Sequence, residues 1–89
     1  MKQVKQDGLI YLVNEKEGNA EIMDFYECRN KFIIPHLIKH ETQEYIVVSI
    51  LTDAFKNSLN IKTIQFPSDS ELQTIEENAF EYSSIESIF

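Results

Sequence analysis

The chain has no tryptophan, one cysteine, two glycines and two prolines in its 89 residues. Each shortage excludes something. Cys28 has no second thiol to pair with, so the disulfide support of small secreted domains is missing. Both glycines stand alone, leaving no Gly-rich loop to cradle a phosphate. Basic residues are also few: eight Lys and Arg against fifteen Asp and Glu give a formal charge of −7. They are scattered from Lys2 to Lys62 without a basic block. Nucleic acids are gripped first through their phosphates by clustered cations, so neither nucleic acid nor an anionic membrane surface is expected as a partner. No apolar run approaches the roughly 20 residues that span a bilayer. The polar start, Met1 to Asp7, has no secretory apolar region behind it, and no Asn-x-Ser/Thr acceptor occurs. No membrane insertion is expected of this segment, nor any route out of the cytosol.

What is present is a globular composition, 43% hydrophobic and 26% charged, which argues against disorder. A chain this short buries roughly 60–65% of its unfolded surface. One domain over 1–89, marginally stable alone, is the expectation.

The chain repeats itself. Ile50-Leu-Thr-Asp53-Ala54-Phe55 reappears as Ile75-Glu-Glu-Asn78-Ala79-Phe80, 25 residues on (50 to 75). That offset lies in the range of about 20–29 residues of leucine-rich repeats. After Phe55 come Ile61, Ile64, Phe66 and Pro67; after Phe80 come Ile85, Ile88 and Phe89, with one residue fewer before the apolar set. Ile64 and Phe66, two apart with Gln65 between them, have the period of a half-buried strand, and Pro67 ends it. Leu72 and Ile75 read as a second inward-facing stretch. Asp53 and Asn78 are expected to begin a tight turn or short helix, their side chains accepting from nearby backbone N–H groups. One such unit leaves its strand face bare; stacking buries it.

The N-terminal half is compatible. Leu9 to Val13 and Ala20 to Tyr26 read as the strands of a β-hairpin around a polar turn in which Gly18 is free to take positive φ. Lys31-Phe-Ile-Ile-Pro35 echoes Thr63-Ile-Gln-Phe-Pro67, and Glu44 to Ile50 is a further strand. Residues 8–44 are expected to form a hairpin and first-strand cap, and 45–89 about two Ala-Phe repeats. The alternative is an ordinary α+β domain with a chance duplication.

The run Ala54-Phe-x-x-Ser58-x-x-Ile61-x-x-Ile64-x-Phe66-Pro67 resembles the BspA-type leucine-rich repeat of surface proteins. Ser58 and Ser83 stand where that family commonly has Cys or Ser. The order of Tyr11, Tyr26, Ile33-Ile-Pro35 and Tyr45-Ile-Val-Val48-Ser-Ile50 resembles the segment that often precedes such repeats. The resemblance covers roughly residues 8 to 89. It implies a right-handed, β-rich α/β solenoid of leucine-rich type, with an N-terminal hairpin cap and an uncapped C-terminal end. It further implies a binding or adhesive role, often at a cell surface, although no signal peptide or anchor is visible and only about two Ala-Phe repeats are held.

No catalytic, cofactor or metal site is read in the chain. His36 and His40 are four apart, yet no Glu follows His36 as the metalloprotease helix requires, and they fall in what reads as a polar connecting stretch. Cys28, in Tyr26-Glu-Cys-Arg-Asn30, lacks a catalytic signature. Asp69-x-Glu71 and Glu76-Glu77 are read as a solvated acidic face, and no EF-hand loop occurs. Phe55, Phe66 and Phe80 are read as core. The expected function is a non-enzymatic protein-binding module. Its partner-facing residues should be Lys62, Thr63, Gln65, Glu86 and Ser87, on the exposed strand faces. Two other readings stay open: a truncated repeat remnant, and a small metal-dependent hydrolase. The apparent stop inside a strand at Phe89 adds an expectation of self-association through the C-terminal end.

Overall fold

The structure, a computed structural model, describes residues 2–88. The expectation attached to Phe89 lies outside the described residues.

Three strands open the chain: β1 (Lys2–Gln6), β2 (Leu9–Asn14) and β3 (Asn19–Phe25), each antiparallel to the next. The two-residue turn between β1 and β2 is Asp7-Gly8, with φ of 50° and 87°. Positive φ at both central residues gives such a turn the same twist as its strands. In the next turn Asn14 Oδ1 accepts from the backbone N–H groups of Lys16 and Glu17 at 3.0 and 3.1 Å, and Gly18 takes φ 71°. The hairpin expected from Leu9 to Tyr26 is therefore present as β2 and β3. β1 was not expected: its polar sequence, Lys-Gln-Val-Lys-Gln, has only Val4 pointing into the core.

Beyond β3 the chain coils. β4 (Lys31–Ile33), β7 (Thr63–Gln65) and β9 (Ser87–Ile88) form one parallel sheet. β6 (Gln43–Ile50) lies parallel to β3 on one side and to β8 (Thr74–Ile75) on the other. The path thus alternates between two parallel ladders as β3 to β4, β6 to β7 and β8 to β9, making three stacked rungs. This is the repeat solenoid that the sequence suggests. An additional strand, β5 (Leu37–His40), folds back antiparallel on β6 through Glu41, whose φ is 57°. The region expected as a polar connection around His40 is therefore strand, because Ile38 packs inward and Leu37-Ile38 pairs with Tyr45-Ile46.

No helix occurs among the described residues. The helical part of an α/β coil has turns in its place, over 52–57 and 77–82. The reason is in the backbone. Asp53 and Asn57 have φ of 65° and 61°; Asn78 and Tyr82, each 25 residues later, have 64° and 57°. Left-handed residues four apart cannot belong to one right-handed helix. Asp53 and Asn78 do open the turns, but through their tolerance of positive φ rather than by side-chain capping. The hydrogen bonds repeat with the same offset: Ala54 N to Leu51 O and Ala79 N to Glu76 O, then Lys56 N to Asp53 O and Glu81 N to Asn78 O.

Beneath these turns the rungs share an aromatic column. Phe25, Phe55 and Phe80 are stacked, with centroids 5.9 and 5.4 Å apart and both pairs of planes at 9°. Phe32 meets Phe25 edge-on at 6.5 Å. Aromatic pairs at such spacings contribute about 0.5–1.5 kcal/mol beyond area burial. Ala54 and Ala79, each next in sequence to a ring of the column, are also buried. Ser58 is buried as well, its hydroxyl donating to Phe55 O at 2.6 Å. Leu72 packs against the core as expected, whereas Ile75 is 44% exposed, because no described rung covers the far side of β8.

Phe55→Ala should lower the unfolding free energy by about 3–5 kcal/mol. Phe80→Ala should cost less, since Phe80 is only partly buried. Urea unfolding of the two variants measures this; equal losses would mean that the column is not the central support.

Candidate interaction face

Alternation along the short parallel strands creates a surface. Phe32 and Ile64 are buried, so their neighbours in β4 and β7 face solvent. The register sets Lys31 beside Thr63 and Thr63 beside Ser87, and sets Ile33 beside Gln65. Adjacent strands are about 4.8 Å apart, so these residues form short rows across the rungs.

Of the five residues expected to face a partner, Thr63, Gln65 and Ser87 lie in these rows. Lys62 and Glu86 lie just before the strands. Lys62 O accepts from Glu86 N at 2.8 Å, and Asn30 O accepts from Lys62 N at 2.7 Å, so Asn30, Lys62 and Glu86 occupy the same point of successive rungs. The structure adds Lys31 and Ile33, the latter 61% exposed. Sequence reasoning missed both, although the match of Lys31-Phe-Ile with Thr63-Ile-Gln held the signal. The face that results is polar at six positions, with one large apolar side chain in the first rung.

The histidines part company. His40 ends β5, with Nε2 3.4 Å from Glu41 Oε1. His36 follows Pro35 and is held from the next rung by both members of an acidic pair. Its Nδ1 is 3.2 Å from Asp69 Oδ2, and its Nε2 makes a short hydrogen bond with Glu71 Oε2. The pair read as solvated is largely exposed and yet links two rungs. Glu76 does likewise, accepting from the N–H and hydroxyl of Thr52 at 3.0 and 3.1 Å. Among the described residues no three His, Cys, Asp or Glu are grouped as metal ligands, and Cys28 is exposed and free.

Two solved structures resemble this one. A leucine-rich repeat protein from Bacteroides ovatus superposes with a TM-score of 0.82 at 30% identity, over 96% of this chain. The chain has the fold of the leucine-rich repeat proteins. A leucine-rich cell surface protein from Faecalibacterium prausnitzii shares the fold, with a TM-score of 0.65 at 15% identity over 99% of this chain. Both agree with the resemblance drawn from the Ala-Phe motifs. This repeat segment spans 22% of the first protein and 32% of the second. No family model and no curated protein matches the chain.

The His36 linkage makes stability depend on pH. The Glu71 hydrogen bond raises the His36 pKa, and the Asp69 and Glu71 charges add to it against a desolvation effect that lowers it. A raised pKa means that the folded state holds the proton more tightly. The stabilisation is thus complete below the ordinary histidine value of about 6.5 and fades as pH rises through the elevated value. Thermal midpoints of wild type and His36→Gln should differ at pH 5.5 and converge at pH 9. A gap unchanged across that range would contradict the linkage.

Proposed function

We propose that this leucine-rich repeat segment is a non-enzymatic protein-interaction module of BspA-like type, and that its partner meets the solvent face of β4, β7 and β9. The observation that carries the reading is the alignment of Thr63, Gln65 and Ser87 across neighbouring rungs, with Lys31 and Ile33 extending the rows. Solenoids use such rows as extended binding surfaces because each added rung lengthens the face without changing its geometry. Lys62 and Glu86 border it and offer one charge of each sign. Adhesion at a cell surface is the finer form of this proposal. The likeness to leucine-rich repeat proteins supports it, as does the shared fold of a cell surface protein from Faecalibacterium. No helix among the described residues is long and apolar enough to cross a membrane. Ile75, Tyr82 and Ile88 are exposed on the third rung, where a further rung or a second copy would cover them.

Surface plasmon resonance over immobilised collagen, fibronectin and laminin tests the adhesive form. Binding by wild type, with at least tenfold loss in the combined Thr63→Ala, Gln65→Ala, Ser87→Ala variant, is expected. These surface changes should leave stability within about 0.5 kcal/mol. Binding that survives the triple change would remove this face from consideration. The absence of any binding would reject adhesion to matrix.

A further inference from the structure

The sheet that runs β1-β2-β3-β6-β5 is open, since among the described residues β1 pairs only with β2, and β5 only with β6. It curls until these two free edges confront one another. At one end Lys2 Nζ stands 3.9 Å from Glu41 Oε1, just beyond β5. At the other end Gln6 and Asp7, from the end of β1, share a cleft of about 360 Å3 with Leu37 and Ile38 of β5. The edges therefore run antiparallel to each other, bridged by the Lys2 side chain at one end and parted by the cleft at the other.

We infer that this cleft is a second docking site, taking an extended peptide that pairs with the free edges of β1 and β5 and sets a basic side chain against Asp7. Three observations converge on that occupant. An edge strand directs backbone N–H and C=O groups outward, and an extended peptide is the ligand that answers both. Next, Tyr11 is 1% exposed and lines the cleft. Its hydroxyl makes no hydrogen bond among the described residues, while no enclosed side-chain oxygen or nitrogen lacks a partner. The phenol oxygen therefore sits where the cleft reaches it, a buried donor free for a ligand carbonyl.

The third observation is charge. The cations around the cleft face other groups of the chain, and Lys5 lies over the Tyr26 ring at 5.7 Å. Lys2 meets Glu15 and Glu41, and Lys39 meets Glu44. Arg29 is 2.8 Å from Glu27 and lies over the Phe32 ring at 5.1 Å. Asp7 has no ion pair among the described residues, so the charge left for a ligand is a carboxylate. Ile33 borders both this cleft and the β4–β7–β9 face, but the strand edges, Tyr11 and Asp7 lie outside that face, so the site does not depend on it.

The probe is an end-blocked hexapeptide alternating Lys and Val, titrated into the 15N-labelled full chain and followed by amide shifts. Two further peptides serve as comparisons: one with Glu for Lys, and one with proline at its third position. The Lys peptide should shift amides of β1 and β5 and leave Thr63, Gln65 and Ser87 in place. Tyr11→Phe, which removes one oxygen, should weaken binding about two- to tenfold. Asp7→Asn, which keeps a residue tolerant of positive φ, should abolish the preference for Lys over Glu. Amide shifts absent at millimolar peptide, or confined to the β4–β7–β9 face, would overturn the site. Equal affinity for the proline peptide would overturn strand pairing, and Asp7→Asn with preference intact would overturn the role of the carboxylate.

Discussion

A strand of two or three residues has too few hydrogen bonds to persist by itself; even an isolated two-stranded hairpin is marginal in water. Each rung of this coil offers little more than that on its second ladder: Lys31–Ile33, Thr63–Gln65 and Ser87–Ile88. Such strands exist only because each pairs in parallel with the next rung, and parallel pairing demands that successive rungs turn at the same places. The left-handed residues at Asp53 and Asn57, repeated at Asn78 and Tyr82, meet that demand. The stacked column of Phe25, Phe55 and Phe80 fills the space that the turns enclose. Turn and column depend on each other. The buried alanines adjoin two of the rings in sequence, and the rings remove from water the apolar surface that closes the coil.

The polar contacts follow from the same stacking. Thr52 reaches Glu76, and His36 reaches Asp69 and Glu71, each across one rung. At exposed positions such contacts are weak and screened by salt, so they adjust a register already set by the core. The exposed rows are a by-product of that register too. Burying Phe32 and Ile64 obliges their neighbours to face solvent, and parallel pairing lines those neighbours up. The N-terminal strands are arranged differently. On the side of β3 away from β6, the ladder continues antiparallel through β2 and then β1. The result is a sheet whose own outer edges, β1 and β5, end facing each other across a cleft.

The features legible in sequence are those with a local signature. The 25-residue echo around Ala54-Phe55 and Ala79-Phe80 displays the repeat, and alternation displays β2, β3, β6 and β7. Pro35 and Pro67 mark equivalent strand ends. What escaped has no such mark. β1 is polar at four of five positions and is a strand only because β2 offers it a partner. Leu37–His40 resembles a connection until β6 pairs with it. Phe25 has Asp24 before it where the later copies have alanine, and its place in the column appears only when three rungs are stacked. For Thr63, Gln65 and Ser87 the alternating pattern sufficed to put them on a surface, but it could not bring them into one row with Lys31 and Ile33.

By itself the sequence determined a repeat coil with a hairpin before it, because periodicity, turn residues and strand-ending prolines act over a few neighbouring residues. Only the tertiary structure decided which residues meet across rungs: the phenylalanine column, the clasp on His36, the composition of the exposed rows and the cleft between β1 and β5. Those relations join residues 24 to 39 positions apart, as in Thr52 with Glu76 and Lys2 with Glu41. Their identity is set by the register of parallel strands, a property that no local window of sequence contains.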